Sequence, residues 1–138
     1  LEEAIRDAKD MLIERFNWIC SQKPESAKFM YENNLMAGYV PEEGIRSALK
    51  HGTLVIGQLG LAETLQILIG CDHTTDEGMR LAKKIEQLFK DRCAEFKQKY
   101  HLNFGVYYIF NFFKFFDSIT NIVSYDFINV FIIFLICI

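Results

Sequence analysis

Residues 53–70, TLVIGQLGLAETLQILIG, decide the fold. Thr53–Ile56 is a β-branched and aliphatic run without polar alternation, the pattern of a short buried strand. Gly57 and Gly60 bracket the turn out of it. Leu61–Ile69 predicts a mostly apolar, deeply buried helix, closed by Gly70 at its C-terminal end.

Working upstream, Pro41 followed by Glu42 and Glu43 suits the first turn of a short helix that runs to about Lys50 and stops before Gly52. Lys28–Gly38 has little periodicity and reads as a loop. From Leu1 to about Ser21, Leu1, Ile5, Ala8, Leu12, Phe16 and Ile19 recur every three or four residues, the buried stripe of an amphipathic helix that Pro24 ends. Downstream, Thr74-Thr75-Asp76-Glu77 has the Thr-x-x-Glu form of a capping box. Met79, Ala82, Ile85, Phe89, Cys93, Phe96 and Tyr100 then hold one helix face, and Leu102–Tyr108 reads as a second strand. Helix, strand, helix, helix, strand is the rhythm of an α/β architecture.

The character of the chain changes near Tyr108. Eight of the 13 phenylalanines lie beyond it, and 22 of the last 30 residues are Phe, Ile, Asn, Tyr, Lys or Leu. Codons built from A and T alone specify these residues, so 109–138 is expected to be a hydrophobic tail translated out of frame, appended to a segment at 1–108. Residue 1 is Leu with a helical pattern already running, so the front end is expected to be cut as well. The twelve residues Phe127–Ile138 are apolar apart from Asn129, whereas a bilayer core needs about 20. No basic cluster flanks them to fix an orientation. Low charge and high β-propensity instead mark a sticky segment.

The net charge of −3 and the interleaving of Lys83, Lys84, Glu86, Lys90, Asp91 and Arg92 exclude a nucleic-acid surface. Cys20, Cys71, Cys93 and Cys137 form no Cys-x-x-Cys pair, so neither a zinc ribbon nor a thioredoxin-like motif is present. The chain opens on an amphipathic helix rather than a signal peptide, and a reducing cytoplasm with free thiols is the expectation. Cys71-Asp72-His73 gathers a thiol, a carboxylate and an imidazole, but its potential partners His51, His101 and Cys20 are distant in sequence. Gly57-Gln58-Leu59-Gly60 opens a helix after a strand, yet it lacks the third glycine of a dinucleotide fingerprint and the Gly-Lys-Ser/Thr of a Walker loop. Glu63 is a carboxylate in an otherwise apolar helix, where it needs a partner or a function.

One resemblance spans residues 1–108. The string from Ala48 through His51-Gly52-Thr53, Gly57, Gly60-Leu61-Ala62-Glu63, Gly70 and His73 resembles a hallmark segment of the anaerobic (class III) ribonucleoside-triphosphate reductases. The helix containing Leu12–Phe16 and the later Lys99-Tyr100 with Leu102-Asn103-Phe104 are similar to the same family. The resemblance implies a partial, mostly helical arc of a ten-stranded α/β barrel of the glycyl-radical type. It also implies an oxidoreductase that converts ribonucleoside triphosphates to deoxyribonucleoside triphosphates. In that family a glycyl radical draws a hydrogen atom from a cysteine on a central loop, and the thiyl radical activates the ribose. A structural zinc, ATP and dNTP effectors, a homodimer and a radical-SAM activating enzyme are further implications for the whole enzyme.

By the same resemblance, the radical cysteine falls upstream of residue 1, and the glycyl and zinc sites fall downstream. Ile109-Phe110-Asn111-Phe112 stands where the family carries a Thr-Pro-Ala-Glu-type phosphate loop. No catalytic residue and no metal ligand is therefore assigned, and the segment is expected to be inactive alone. Gly57, Gly60, Leu61 and Glu63 are placed near the substrate end of the barrel. The competing expectation is a small helical interaction protein with a membrane-seeking C-terminus; a third is a split-gene subunit completed by a neighbouring reading frame.

Overall fold

A computed structural model of the chain describes residues 1–33, 35–108 and 132–137. Of the hydrophobic tail expected at 109–138, residues 109–131 and 138 lie outside the described residues. Among those described, no helix is long and apolar enough to cross a membrane.

The described residues form five α-helices and three strands: α1 (Glu2–Cys20), α2 (Lys28–Glu32), α3 (Ile45–Leu49), β1 (Thr53–Gln58), α4 (Leu61–Ile69), α5 (Asp76–Tyr100), β2 (Asn103–Tyr108) and β3 (Ile132–Cys137). The sheet order is β2-β1-β3. β1 and β2 are parallel, pairing Leu54 with Phe104, Ile56 with Val106 and Gln58 with Tyr108. β3 runs antiparallel along the other side of β1, from Thr53 opposite Cys137 to Gln58 opposite Ile132.

The core forms where helix stripes meet one face of this sheet. Ile5, Ala8, Leu12 and Phe16 of α1 join Ala82, Ile85, Phe89, Cys93 and Phe96 of α5 around Leu54, Ile56 and Phe104. The Phe96 and Phe104 rings meet edge-on, 5.6 Å between centroids at 62°, an arrangement worth about 0.5–1.5 kcal/mol beyond the area buried. Met79, assigned to the same stripe, sits one turn beyond the packed region and is 40% exposed.

Several expectations need correction. β1 runs two residues past Ile56, so Gly57 is a buried strand residue and does not begin the turn. Pairing with β2 extends through Tyr108, and the ladder carries β1 on. α4 has its expected bounds but is not deeply buried: only Leu65 is enclosed, while Ile67 and Leu68 are 57% and 63% exposed. Lys28–Glu32 is a short helix within the expected loop, anchored by Tyr31, whose ring meets that of Tyr39 tilted at 54° with 4.7 Å between centroids. The single helix expected from Pro41 is broken into a 3₁₀ turn and α3 by Gly44, whose φ of 70° and ψ of −163° are open essentially to glycine alone. The Ser47 hydroxyl holds that break by accepting from the Val40 amide (2.8 Å) and donating to the Gly44 carbonyl (2.6 Å).

The cap of α5 shifts by one residue. Thr75, not Thr74, is the N-cap, and its Oγ1 accepts from the Gly78 amide at 3.1 Å. Thr74 is taken by the Asp72 carboxylate, to which its amide donates at 2.8 Å. Glu77 therefore falls one position short of a capping box. Ile132–Cys137, from the segment expected to be sticky, is paired through its backbone along all of β1.

The tightest joint lies at the start of α5. A Cβ built on Gly78 would stand 1.8 Å from the Asp72 carbonyl oxygen, and backbone cannot yield as a flexible side chain would. Gly78→Ala is expected to cost about 3 kcal/mol of stability, measured by chemical denaturation. A loss below that of an ordinary surface substitution would show that the loop moves aside freely.

Candidate functional site

In α/β sheets, ligands gather beyond the carboxyl ends of parallel strands. Here that end is marked by Gln58 and Tyr108, in register. The chain leaves Gln58 through Leu59 and Gly60 and enters α4 at once. Gly60 is the N-cap, in the left-handed region at φ 77° and ψ 25°, which a residue with a Cβ adopts only at a cost. Its carbonyl accepts from the Thr64 amide at 2.9 Å and from Thr64 Oγ1 at 2.8 Å.

No side chain caps α4. Its first amides, at Leu61, Ala62 and Glu63, therefore face out of the helix start, where the dipole is positive and anions are favoured. Glu63 lies in this first turn and is half-buried rather than enclosed. Its position suits the dipole, which supplies the physical reason for a carboxylate in an apolar helix. One of its oxygens lies 3.8 Å from where a Gly60 side chain would begin.

The structure thus brings Gly60, Leu61 and Glu63 together at one turn. Gly57 is not part of it: it sits inside β1, opposite Tyr107. What the turn offers is backbone donors and one carboxylate, a binding surface for a polar or charged group. Among the described residues it brings no thiol to that point.

The cysteines are elsewhere. Cys93 is buried, with Sγ 3.7 Å from the Gly105 carbonyl, and burial pushes its thiol up to about 11. Cys20 ends α1, and burial raises its thiol as well, with the Arg46 charge opposing. Cys71 follows α4 at the far end from Gly60, about 13 Å of helix away. The Cys71-Asp72-His73 cluster is explained locally: hydrogen bonds from the Thr74 hydroxyl and amide hold the Asp72 carboxyl below its usual range, and that turn launches α5. Among the described residues no three His, Cys, Asp or Glu side chains are grouped to hold a metal ion, so they do not fit a zinc site.

Sequence reasoning passed over Gln58. It shares the face of Leu54 and Ile56, beneath the helices, and is 4% exposed. Its Oε1 is buried without a hydrogen-bond partner, a loss of about 1–3 kcal/mol for an amide oxygen. The alternation Leu54, Ile56, Gln58 was the available signal: the strand period puts a polar amide on the core face. Gln58→Met keeps the length and removes the orphaned acceptor. The variant is expected to be more stable by about 1 kcal/mol, read as a raised denaturant midpoint with unchanged slope. A lowered midpoint would mean that the oxygen is satisfied in solution.

Comparison with known proteins gives a match over a defined span. No curated protein and no solved structure matches the chain. A family model described as anaerobic ribonucleoside-triphosphate reductase matches residues 1–109. It covers every described element except β3 and stops where the composition changes. With that match over most of its length, and with the parallel β1–β2 pair and its turn into α4 inside it, the chain belongs to the anaerobic ribonucleoside-triphosphate reductase family.

Proposed function

We propose that residues 1–108 are a partial arc of the catalytic α/β barrel of an enzyme that reduces ribonucleoside triphosphates to deoxyribonucleoside triphosphates by glycyl and thiyl radical chemistry. On this reading the chain alone is inactive, and 109–138 is an out-of-frame continuation. The observation that carries it is the family match over 1–109. The sheet is in keeping with it: β1 and β2 are parallel and packed by α1 and α5 on the face of Leu54 and Phe104, while Tyr107, on the other face, is 56% exposed. Parallel strands are ordinarily covered on both faces, so a parallel pair whose second face leaves Tyr107 exposed among the described residues suits an arc of something larger.

The turn of Gly60, Leu61 and Glu63 then lies at the substrate end, and its uncapped amides would meet a charged part of the nucleotide. Gly57 contributes the absence of a side chain within β1. The radical, when present in the whole enzyme, supplies hydrogen-atom abstraction; the residues here position and shield. No role in the radical chemistry falls to Cys20, Cys71 or Cys93, which lie at the end of α1, beyond α4 and beneath β2. The structural zinc, the ATP and dNTP effectors, the partner subunit of a homodimer and the radical-SAM activating enzyme all belong to the whole reductase, in the cytoplasm.

Reading the coding DNA in all three frames past codon 108 tests the proposal. A shifted frame is expected to resume with a Thr-Pro-Ala-Glu-type loop and later a glycyl-radical motif. The repaired product, activated without oxygen, is expected to form deoxyribonucleotides, whereas the 138-residue chain forms none. Absence of a resuming frame, or turnover by the chain alone, would sink the proposal.

A further inference from the structure

We propose that the cleft between α1 and α5 is a binding site for a phosphate oxyanion, separate from the turn at Gly60. The cleft measures about 270 Å³, just under the roughly 300–1,000 Å³ of pockets that take drug-sized ligands, so a small anion fits it better than a whole nucleotide. It lies by Tyr100, where α5 leads into the amino end of β2, whereas Gly60 follows the carboxyl end of β1.

The cations facing it are Arg6 and Lys9 from α1 and Arg92 and Lys99 from α5; the carboxylates are Glu2 and Glu95. Both carboxylates are spent on one guanidinium, since Arg92 holds Glu2 at 2.9 Å and Glu95 at 2.8 Å. Arg6 lies 3.8 Å from the Glu2 carboxylate, and its Nε donates to the Glu2 carbonyl at 3.4 Å, which leaves its other guanidinium donors for the cleft. The floor is Lys9, whose side chain is 10% exposed. Its ammonium bonds Asp10, a carboxylate that is itself 68% exposed, and the Tyr100 hydroxyl at 3.2 Å. An ammonium has three donors, and these two acceptors leave one for the cleft.

Lys99 adds a second ammonium, 5.4 Å from the Tyr100 ring centroid, while Lys9 stands 5.3 Å from the same ring. Two like charges thus converge on one phenol. The hydrogen bond from Lys9 holds the Tyr100 hydroxyl below its usual range, burial opposes this, and the charges of Lys9 and Lys99 add to the lowering. Converging cations on a half-shielded surface repel one another unless an anion lies between them. A phosphate group offers several acceptor oxygens, enough for the spare donor of Lys9 and for Lys99 and Arg6 together.

The test is a ¹H–¹⁵N NMR titration of the full 138-residue chain with inorganic pyrophosphate, and in parallel with ATP. Saturable shifts are expected at Arg6, Lys9, Lys99 and Tyr100. Lys99 is exposed, so Lys99→Gln leaves the fold intact and is expected to weaken binding roughly tenfold, the loss of one charge-assisted contact. Lys9→Met is expected to weaken it at least as much. Equal binding of the two probes identifies a bare phosphate site, and tighter binding of ATP a nucleotide-borne phosphate. Shifts that never saturate, or affinity unchanged in Lys99→Gln, would overturn the proposal and leave the reductase assignment untouched.

Discussion

The described structure depends on one packing contact: the buried stripe of α5 laid across the parallel pair β1–β2. Phe89 is fully enclosed, Phe96 meets Phe104 edge-on, and Cys93 rests against the backbone at Gly105. This contact gives the sheet a covered face, without which two parallel strands have no independent stability. It also fixes where β2 begins, because α5 ends at Tyr100 and the chain turns through His101, in the left-handed conformation at φ 54°, directly into the strand. The register of β1 on β2, and so the place where Gln58 ends and the Gly60 turn begins, follows from that.

Those parts of the fold governed by neighbouring residues were legible in the sequence. The strand–turn–helix of 53–70 was readable because β-branched residues, two glycines and an apolar run each have a strong local meaning. The long helix was readable because its stripe repeats over many turns. What escaped is set by partners distant in the chain. The ladder with β2 decided that β1 runs on to Gln58. α4 is apolar enough for a core, but no described element covers Ile67 and Leu68, and hydropathy alone cannot say whether a neighbour exists. α2 escaped because it buries only Tyr31, too little for a periodic signal. The slip of the α5 cap from Thr74 to Thr75 arose because Asp72 competes for Thr74, a choice between two hydroxyls that spacing cannot make.

The same division holds for the candidate sites. Gly60, Leu61 and Glu63 are neighbours along the chain, and sequence sufficed to put them at one turn; Gly57 was misplaced because its surroundings are strands and not the turn. Lys9 and Tyr100 lie 91 residues apart, and no motif links them. Lys9 adjoins Ala8 on the buried stripe of α1, a placement that no spacing in the sequence announces. Membership of the family rests on the span of the match.

Cys93 has a further consequence. A thiol held at about 11 is ionised in only about one molecule in ten thousand at pH 7. Its 4% exposure denies an alkylating reagent even that fraction. When α5 lifts from β2, the thiol meets water and its ionised share rises by about two orders of magnitude. The rate at which Cys93 is labelled therefore keeps time for the opening of that joint, and the chain carries within its central contact a chemical clock for its own local unfolding.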